Sequence, residues 1–264
     1  ENIFKLKRVG YHFVEPSEGR LACGDFGMGK LADPEIIVLE AEKLLNVGND
    51  LVGKKILITA GPTREPIDPV RYITNYSSGK MGYAVAEASA KRGAEVILIS
   101  GPTALKRPLG VTVIDVITTN DMYEAVLQNY KWADIIIKAA AVSDYRPESI
   151  AQNKIKKLNE DMSIKLTKNP DILKELGKIK NKNQILIGFA AETQSLINNA
   201  SVKMENKNLD FIVANDVTRE GAGFDSDTNI VTIIDKNENI RHFDKMSKLE
   251  LADIIIDKAK QMME

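Results

Sequence analysis

One cysteine and two histidines among 264 residues leave little room for disulfide or metal chemistry. The single Cys23 cannot close an internal disulfide, which fits a reducing compartment. His12 and His242 stand far apart, in no His-x-x-x-His spacing, which argues against a zinc cluster. No apolar run approaches the roughly 18 residues of a membrane span, and no basic-then-apolar leader opens the chain. The expectation is therefore a soluble, cytoplasmic protein with no membrane partner. Charge of one sign is also missing: 36 Lys and Arg face 37 Asp and Glu, a formal −1, which gives no reason to expect nucleic acid as a partner. What is present is a globular composition, 44% apolar, in a chain long enough for one large domain or two unequal ones.

The chain opens on Glu1 rather than Met, and Asn2-Ile3-Phe4-Lys5-Leu6 resembles a helix already under way, so a fragment of a longer polypeptide is expected. Residues 13–35 are punctuated by Pro16, Gly19, Gly24, Gly27, Gly29 and Pro34, which predicts loop, and Ile36, Ile37, Leu39, Ala41 and Leu44 are spaced as on a helix. Val47-Gly48-Asn49-Asp50 breaks that pattern and sets a boundary, giving segments 1–49 and 50–264. Beyond it, apolar runs at 55–60, 95–100, 111–116, 133–141, 184–189 and 210–214 alternate with helical patterns, among them 81–92 ended by Gly93. Residues 229–235 and 240–243 predict a hairpin and 247–263 a closing helix. Continuous runs alternating with helices predict an α/β, Rossmann-like, mostly parallel sheet with helices on both faces and a C-terminal β-hairpin. Such sheets bind ligands beyond the carboxyl ends of their strands.

The loops at those ends carry the chemistry. Ser77-Ser78-Gly79-Lys80 stands at a helix start, where hydroxyls and unpaired amides can cradle an anion, or where a serine simply caps the helix. It is not a Walker loop, because Met81 follows Lys80 where Ser or Thr is required. It is not a dinucleotide fingerprint either: a long loop replaces the tight glycine turn, and Ile99-Ser100-Gly101 stands where an acidic residue belongs. Ala139-Ala140-Ala141 leaves room for a flat ligand against the backbone, or packs tightly. Asp144 is a candidate for a ribose hydroxyl or a magnesium ion, with a turn-forming role as the alternative. From Lys154 to Lys182 nine lysines face four acids, a local excess that suits a polyphosphate or a solvated face. Asn169 is the expected cap of a helix with Pro170 at its first position. Phe189 can stack on a base or pack in the core, and Lys203 and Lys207, spaced i, i+4, share one helix face.

Taken together, Gly61-Pro62-Thr63-Arg64-Glu65-Pro66, Arg71-Tyr72-Ile73-Thr74-Asn75, Ser77-Ser78-Gly79-Lys80-Met81-Gly82, Lys154-Ile155-Lys156-Lys157, Gly188-Phe189-Ala190-Ala191-Glu192-Thr193 and Ala214-Asn215-Asp216-Val217 closely resemble the phosphopantothenate–cysteine ligase family. The motifs occur in family order over residues 53–264. The resemblance implies a multifunctional enzyme of coenzyme A synthesis. Its ligase part condenses 4′-phosphopantothenate with cysteine, using CTP and magnesium and passing through an acyl-cytidylate. It further implies that Asn75 and Arg71 hold and turn over that intermediate and that Lys154 is needed to form it. Ser77 and Gly79, Asp144, Pro170, Asp171, Ile172, Leu173, Phe189, Lys203 and Lys207 would contact the nucleotide, with backbone around Ala140 reading the base. Asp144 is the candidate magnesium ligand. Lys138 departs from the family pattern, which has a small or apolar residue there.

Residues 15–31, with Cys23, resemble the substrate-covering flap of a flavin-dependent decarboxylase, a lyase whose cysteine is the proton donor. Segment 1–49 is then the remnant of that domain and 50–264 the ligase. FMN would belong to the part of the decarboxylase outside this chain, and the fragment would not decarboxylate. The family also implies a homodimer, and a larger homo-oligomer when fused to the decarboxylase. The rival readings are an NAD(P)-dependent Rossmann reductase and a non-catalytic nucleotide-binding module.

Overall fold

The computed structural model describes residues 2–20, 25–44, 49–156, 162–192, 194–216, 223 and 225–263. The opening segment holds α1 (Asn2–Arg8), the antiparallel pair β1 (Ser17–Arg20) and β2 (Phe26–Lys30), and α2 (Pro34–Leu44). The β1–β2 ladder replaces the loop expected there. Gly19 pairs with Gly27 in it, and most of its residues face solvent, so it carries no apolar alternation to betray a strand.

The rest of the chain runs β3 (Lys55–Ala60), β4 (Arg64–Pro66), β5 (Tyr72–Thr74), α3 (Lys80–Lys91), β6 (Glu95–Ser100), β7 (Val111–Asp115), α4 (Thr119–Asn129), β8 (Ile135–Lys138), β9 (Tyr145–Pro147), β10 (Leu166–Lys168), α5 (Ile172–Ile179), β11 (Ile185–Glu192), α6 (Leu196–Asn206), β12 (Phe211–Asp216), β13 (Thr228–Asp235), β14 (Ile240–Ser247) and α7 (Lys248–Gln261). Eight strands form one sheet in the order β14-β13-β12-β11-β8-β3-β6-β7. The six from β12 to β7 are parallel, and β13 and β14 close the other edge as an antiparallel hairpin. The fold is the expected one.

Alternation explains why the strands are apolar throughout. Ile56, Ile58, Ile135 and Ile137 pack with Val85 of α3 and Leu251 and Ile255 of α7. Leu57, Ile136 and Leu186 point the other way, onto Met122 of α4, Leu176 of α5 and Met204 of α6. Each of these aliphatic side chains contributes roughly 1.5–3 kcal/mol when fully buried. Truncating Ile136, which has no exposed surface, costs about 2–5 kcal/mol.

Helix starts fix the connecting loops. α4 and α7 begin in capping boxes, Thr118 with Asp121 and Ser247 with Glu250. α5 is capped by Asp171, whose side chain accepts from Lys174 N, and not by Asn169 as expected. Asn169 is engaged elsewhere: its Nδ2 donates to Ser143 O at 2.9 Å and its backbone N to Asp144 O at 2.8 Å. Two three-residue ladders, β4–β5 and β9–β10, stand in loops after β3 and β8. Both are too short to register as periodicity in sequence.

Candidate active site

A cavity of about 540 Å³ lies along the carboxyl rim of the parallel strands. Its walls come from the 75–82 segment, the 138–144 segment after β8, residues 169–173 at the start of α5, residues 189–191 of β11, and Lys203 and Lys207 on α6. Asn215, Asn229 and Lys248 line it from the hairpin side.

The start of α3 is brought against the sheet by glycine. A Cβ on Gly82 would lie 2.5 Å from Ala60 Cβ, so only glycine allows this approach. Gly79 is the helix N-cap, in the left-handed region at φ 80°, with no side-chain cap bond. Ser77 does not cap the helix; its Oγ accepts from Gly79 N at 3.3 Å. The first turn of α3, with Ser77 and Ser78 ahead of it, lines the cavity.

Asn75, exposed at the cavity mouth, donates through Nδ2 to Val142 O at 3.0 Å and Ala141 O at 3.4 Å. This links the loop after β5 to the loop after β8. A buried network ties β4 to the start of α4 and the loop after β3 to the loop after β8. Glu65, 1% exposed, accepts from Thr119 N at 2.9 Å and Thr119 Oγ1 at 2.7 Å, while Ser143 N donates to Thr63 Oγ1 at 3.0 Å.

Arg71 and Lys154 do not line the cavity; Arg71 and Ile155, the neighbour of Lys154 in sequence, meet at Asp68. Arg71 donates to Asp68 Oδ2 through Nε at 3.0 Å and Nη2 at 2.6 Å, and its Nη2 also reaches Ile155 O at 3.2 Å. Asp68 accepts from Ile155 N at 3.1 Å and from the backbone N of Val70 and Arg71 at 2.8 Å each. The Arg71 hydrogen bond, opposed by burial and reinforced by those amides, holds the Asp68 carboxyl well below the usual aspartate range. Lys154 is exposed next to this clamp. β5 lies between Arg71 and Asn75 and separates them by roughly 13 Å of extended chain.

Charge is concentrated at two ends of the cavity. At one, Lys138, Lys203 and Lys207 approach Asp171 and Asp144. Lys207 pairs with Asp171 at 2.8 Å, Lys203 donates to Phe189 O at 3.0 Å, and Lys138 to Ala140 O at 3.0 Å. Burial, then repulsion from Lys203 and Lys207, pushes Lys138 down to about 7. Burial raises Asp171, but the Lys207 hydrogen bond, the Lys174 amide and the charges of Lys207 and Lys138 together outweigh it and leave the carboxyl below its ordinary value. At the other end, Lys80 donates to Asp225 O at 2.7 Å and Asp227 Oδ1 at 2.8 Å. Lys248 donates to Ser226 O and to Asn229 Oδ1 at 2.9 Å, and burial, then Lys80, lowers it to about 8.

The structure thus gathers Asn75, Ser77, Gly79, Ala140, Asp144, Pro170, Asp171, Ile172, Leu173, Phe189, Lys203 and Lys207 round one cavity. Arg71 and Ile155, next to Lys154 in sequence, form the Asp68 clamp, and Cys23 lies outside the described residues. Sequence reasoning passed over three groups. Asp68, Glu65 and Lys248 carry no local signal of their roles, because the partners of each, at 155, at 119 and at 226–229, are distant in sequence. Among the described residues no three His, Cys, Asp or Glu side chains cluster as a metal site, and no helix is long and apolar enough to cross a membrane. Asp144, exposed, lines the cavity together with Asp171.

Residues 51–263 match the family described as the DNA/pantothenate metabolism flavoprotein C-terminal domain. The chain is 54% identical over 254 residues to the coenzyme A biosynthesis bifunctional protein CoaBC of Bacillus subtilis (strain 168), covering 95% of this chain and 62% of that protein. It is 48% identical over 263 residues to a cysteine/cysteine sulfinic acid decarboxylase from an unknown prokaryotic organism, covering 97% and 73%. A crystal structure of the C-terminal domain of a coenzyme A biosynthesis bifunctional protein CoaBC is similar with a TM-score of 0.70 at 47% identity, over 81% of this chain and 98% of that one. The chain spans 62% of the length of the Bacillus protein, so it corresponds to part of such a polypeptide. Fold, rim cavity and these likenesses agree: the chain belongs to the DNA/pantothenate metabolism flavoprotein C-terminal domain family.

Proposed function

We propose that this chain catalyses the CTP-dependent ligation of 4′-phosphopantothenate and L-cysteine to 4′-phosphopantothenoylcysteine, a step of coenzyme A biosynthesis. The observation that carries the reading is the convergence, on one rim cavity, of Asn75 and the loop after β8 with ammonium groups at both ends. A triphosphate and a second, carboxylate-bearing phosphate ester need that kind of site: two anions held together despite their repulsion.

In the first step a carboxylate oxygen of phosphopantothenate attacks the α-phosphorus of CTP, forming the acyl-cytidylate as the bond to pyrophosphate breaks. In the second, the amine of cysteine adds to the acyl carbon and CMP leaves with its electron pair, the amine proton passing to solvent. Activation is required because oxide is a far poorer leaving group than CMP.

We assign Lys203, Lys207 and the first turn of α3 with Ser77 and Gly79 to holding the nucleotide. Residues 170–173 and Phe189 would enclose it, and Lys154 would neutralise charge on the triphosphate as pyrophosphate departs. Asn75, anchored on Val142 O, would position the acyl-cytidylate for the amine, with Arg71 holding its loop through Asp68. Magnesium would be held by Asp144 together with the triphosphate, and supplies further neutralisation of charge facing the incoming carboxylate. FMN and decarboxylation are assigned to the remainder of a longer polypeptide, of which segment 1–49 with Cys23 would be the end. The ligase unit, 50–264, would work as a homodimer.

Pyrophosphate release, followed with CTP and ATP in parallel, with and without phosphopantothenate and cysteine, tests the reading. Release with CTP that requires phosphopantothenate, and CMP with product once cysteine is added, is expected. CTP binding without release would instead mark a non-catalytic nucleotide module. Release with ATP alone would overturn the nucleotide assignment.

A further inference from the structure

The three N–H groups of segment 139–141 are all spent inside the fold. Ala139 N donates to Thr59 O at 3.2 Å, Ala140 N to Thr59 Oγ1 at 3.2 Å and Ala141 N to Gly61 O at 2.9 Å. The segment therefore offers the cavity methyl groups and carbonyl oxygens, but no backbone donor. A flat base lying against it finds acceptors for an amino group and nothing to donate to a ring carbonyl. A backbone reading of the base near Ala140 is thus limited to acceptor contacts.

The donor that stands there is Lys138, the residue that departs from the family pattern. Its side chain is partly buried and lines the cavity, and its ammonium makes one hydrogen bond among the described residues, to Ala140 O at 3.0 Å. An ammonium carries three hydrogens, so two are left for the cavity. The charged groups facing it are Lys203 and Lys207 from α6, Asp171 at the start of α5 and Asp144 in the loop after β8. Lys203 donates to Phe189 O and Lys207 pairs with Asp171. Lys138 is the ammonium of the three that sits directly at the alanine segment.

We propose that Lys138 is a specificity-determining residue, donating to the ring carbonyl of a pyrimidine base and so favouring CTP over ATP; this rests on the ligase reading above. Cytosine presents a carbonyl beside its amino group, and the two match Lys138 and the alanine carbonyls. Adenine has an amino group but no carbonyl, so it satisfies the second contact and leaves the ammonium without its acceptor. In a partly desolvated cavity that unmade bond is costly, and discrimination follows from it.

The test compares the full chain with Lys138→Met, which keeps the length and apolar stem but removes the donor. Affinities for CTP and ATP are measured by titration calorimetry without phosphopantothenate, and kcat/KM for each nucleotide by pyrophosphate release. Affinity for CTP is expected to fall about tenfold or more while that for ATP changes less than about threefold. Lys138→Leu, apolar and shorter and likewise without a donor, carries the same comparison should the methionine variant fail to fold, with a fall in the CTP-to-ATP ratio again expected. A purely structural lysine would lower the melting temperature and weaken both nucleotides alike. Equal losses, or an unchanged ratio, overturn the inference alone. A wild-type chain that binds neither nucleotide overturns the ligase reading and this inference with it.

Discussion

Asn75 Nδ2 lies 3.0 Å from Val142 O and holds together two loops that leave the sheet from different strands. The loop after β5 reaches the loop after β8 through this amide, at the edge of the cavity where the acyl carbon of the proposed intermediate would stand. Replacing Asn75 by Ala removes the tie and the positioning group but leaves the lysines that hold the triphosphate. Activation should survive and turnover with cysteine should fall about 10²-fold, so that acyl-cytidylate accumulates and is seen by mass spectrometry. Unimpaired product formation would remove Asn75 from the site.

Lys154 is exposed, beside the Asp68–Arg71 clamp. Lys154→Gln should therefore leave stability within about 0.5 kcal/mol of the parent while suppressing pyrophosphate release itself. Full release with an unchanged melting curve would return this lysine to the solvated surface.

Asp68 offers an acid-dependence with a definite sign. Its carboxyl is held low chiefly by the Arg71 hydrogen bond, so the stability it contributes is complete above the ordinary aspartate range and is lost only as pH falls through its depressed native value. The gap in urea midpoint between the parent and Asp68→Asn should stay constant from about pH 5 to 8 and close in strong acid. A gap that opens or shrinks near neutrality would show that another group sets it.

Glu65 is a test of the scaffold rather than the chemistry. Its buried carboxylate accepts two bonds from Thr119, tying β4 to the start of α4. Glu65→Ala should cost about 3 kcal/mol in urea unfolding, and Glu65→Gln less, since it keeps an acceptor. A loss below about 0.5 kcal/mol would mean that this link is dispensable.

Burial, then Lys203 and Lys207, push Lys138 down to about 7. An anionic nucleotide favours its charged form, so binding at pH 8 should take up protons, and CTP affinity should weaken as pH rises through 7. Calorimetry at pH 8 in buffers of different ionisation enthalpy reads the uptake directly. Release of protons, or none exchanged, would contradict the assigned surroundings of this lysine.

Most of the architecture was legible because burial on both faces leaves a plain mark. Ile56-Leu57-Ile58 and Ile135-Ile136-Ile137 are continuous because alternate residues meet α3 and α7 on one side and α4 to α6 on the other. Ser77-Ser78-Gly79-Lys80 marked a helix start, but that Gly82 presses this helix against Ala60 shows only in the fold. The rest was hidden for physical reasons. Asp68 gathers amides from residues 70, 71 and 155, the last of which only the fold brings near. Asp171 took the cap from Asn169 because Asn169 is drawn to Ser143 O by tertiary contact. Lys138 looked anomalous because hydropathy at a strand end does not reveal a cavity opening beside it. The β1–β2 ladder buries only Gly19, which has no side chain, so no apolar pattern marks it.

The central claim is that a carboxylate oxygen attacks the α-phosphorus of CTP. Phosphopantothenate labelled with ¹⁸O in its carboxylate, incubated with CTP, magnesium, cysteine and the chain, tests it most directly by mass spectrometry of the products. One ¹⁸O per turnover is expected in CMP, because the leaving nucleotide carries away an oxygen of the acid it activated. Label in orthophosphate, with CDP formed in place of CMP, would mean attack at the γ-phosphorus and would contradict the account.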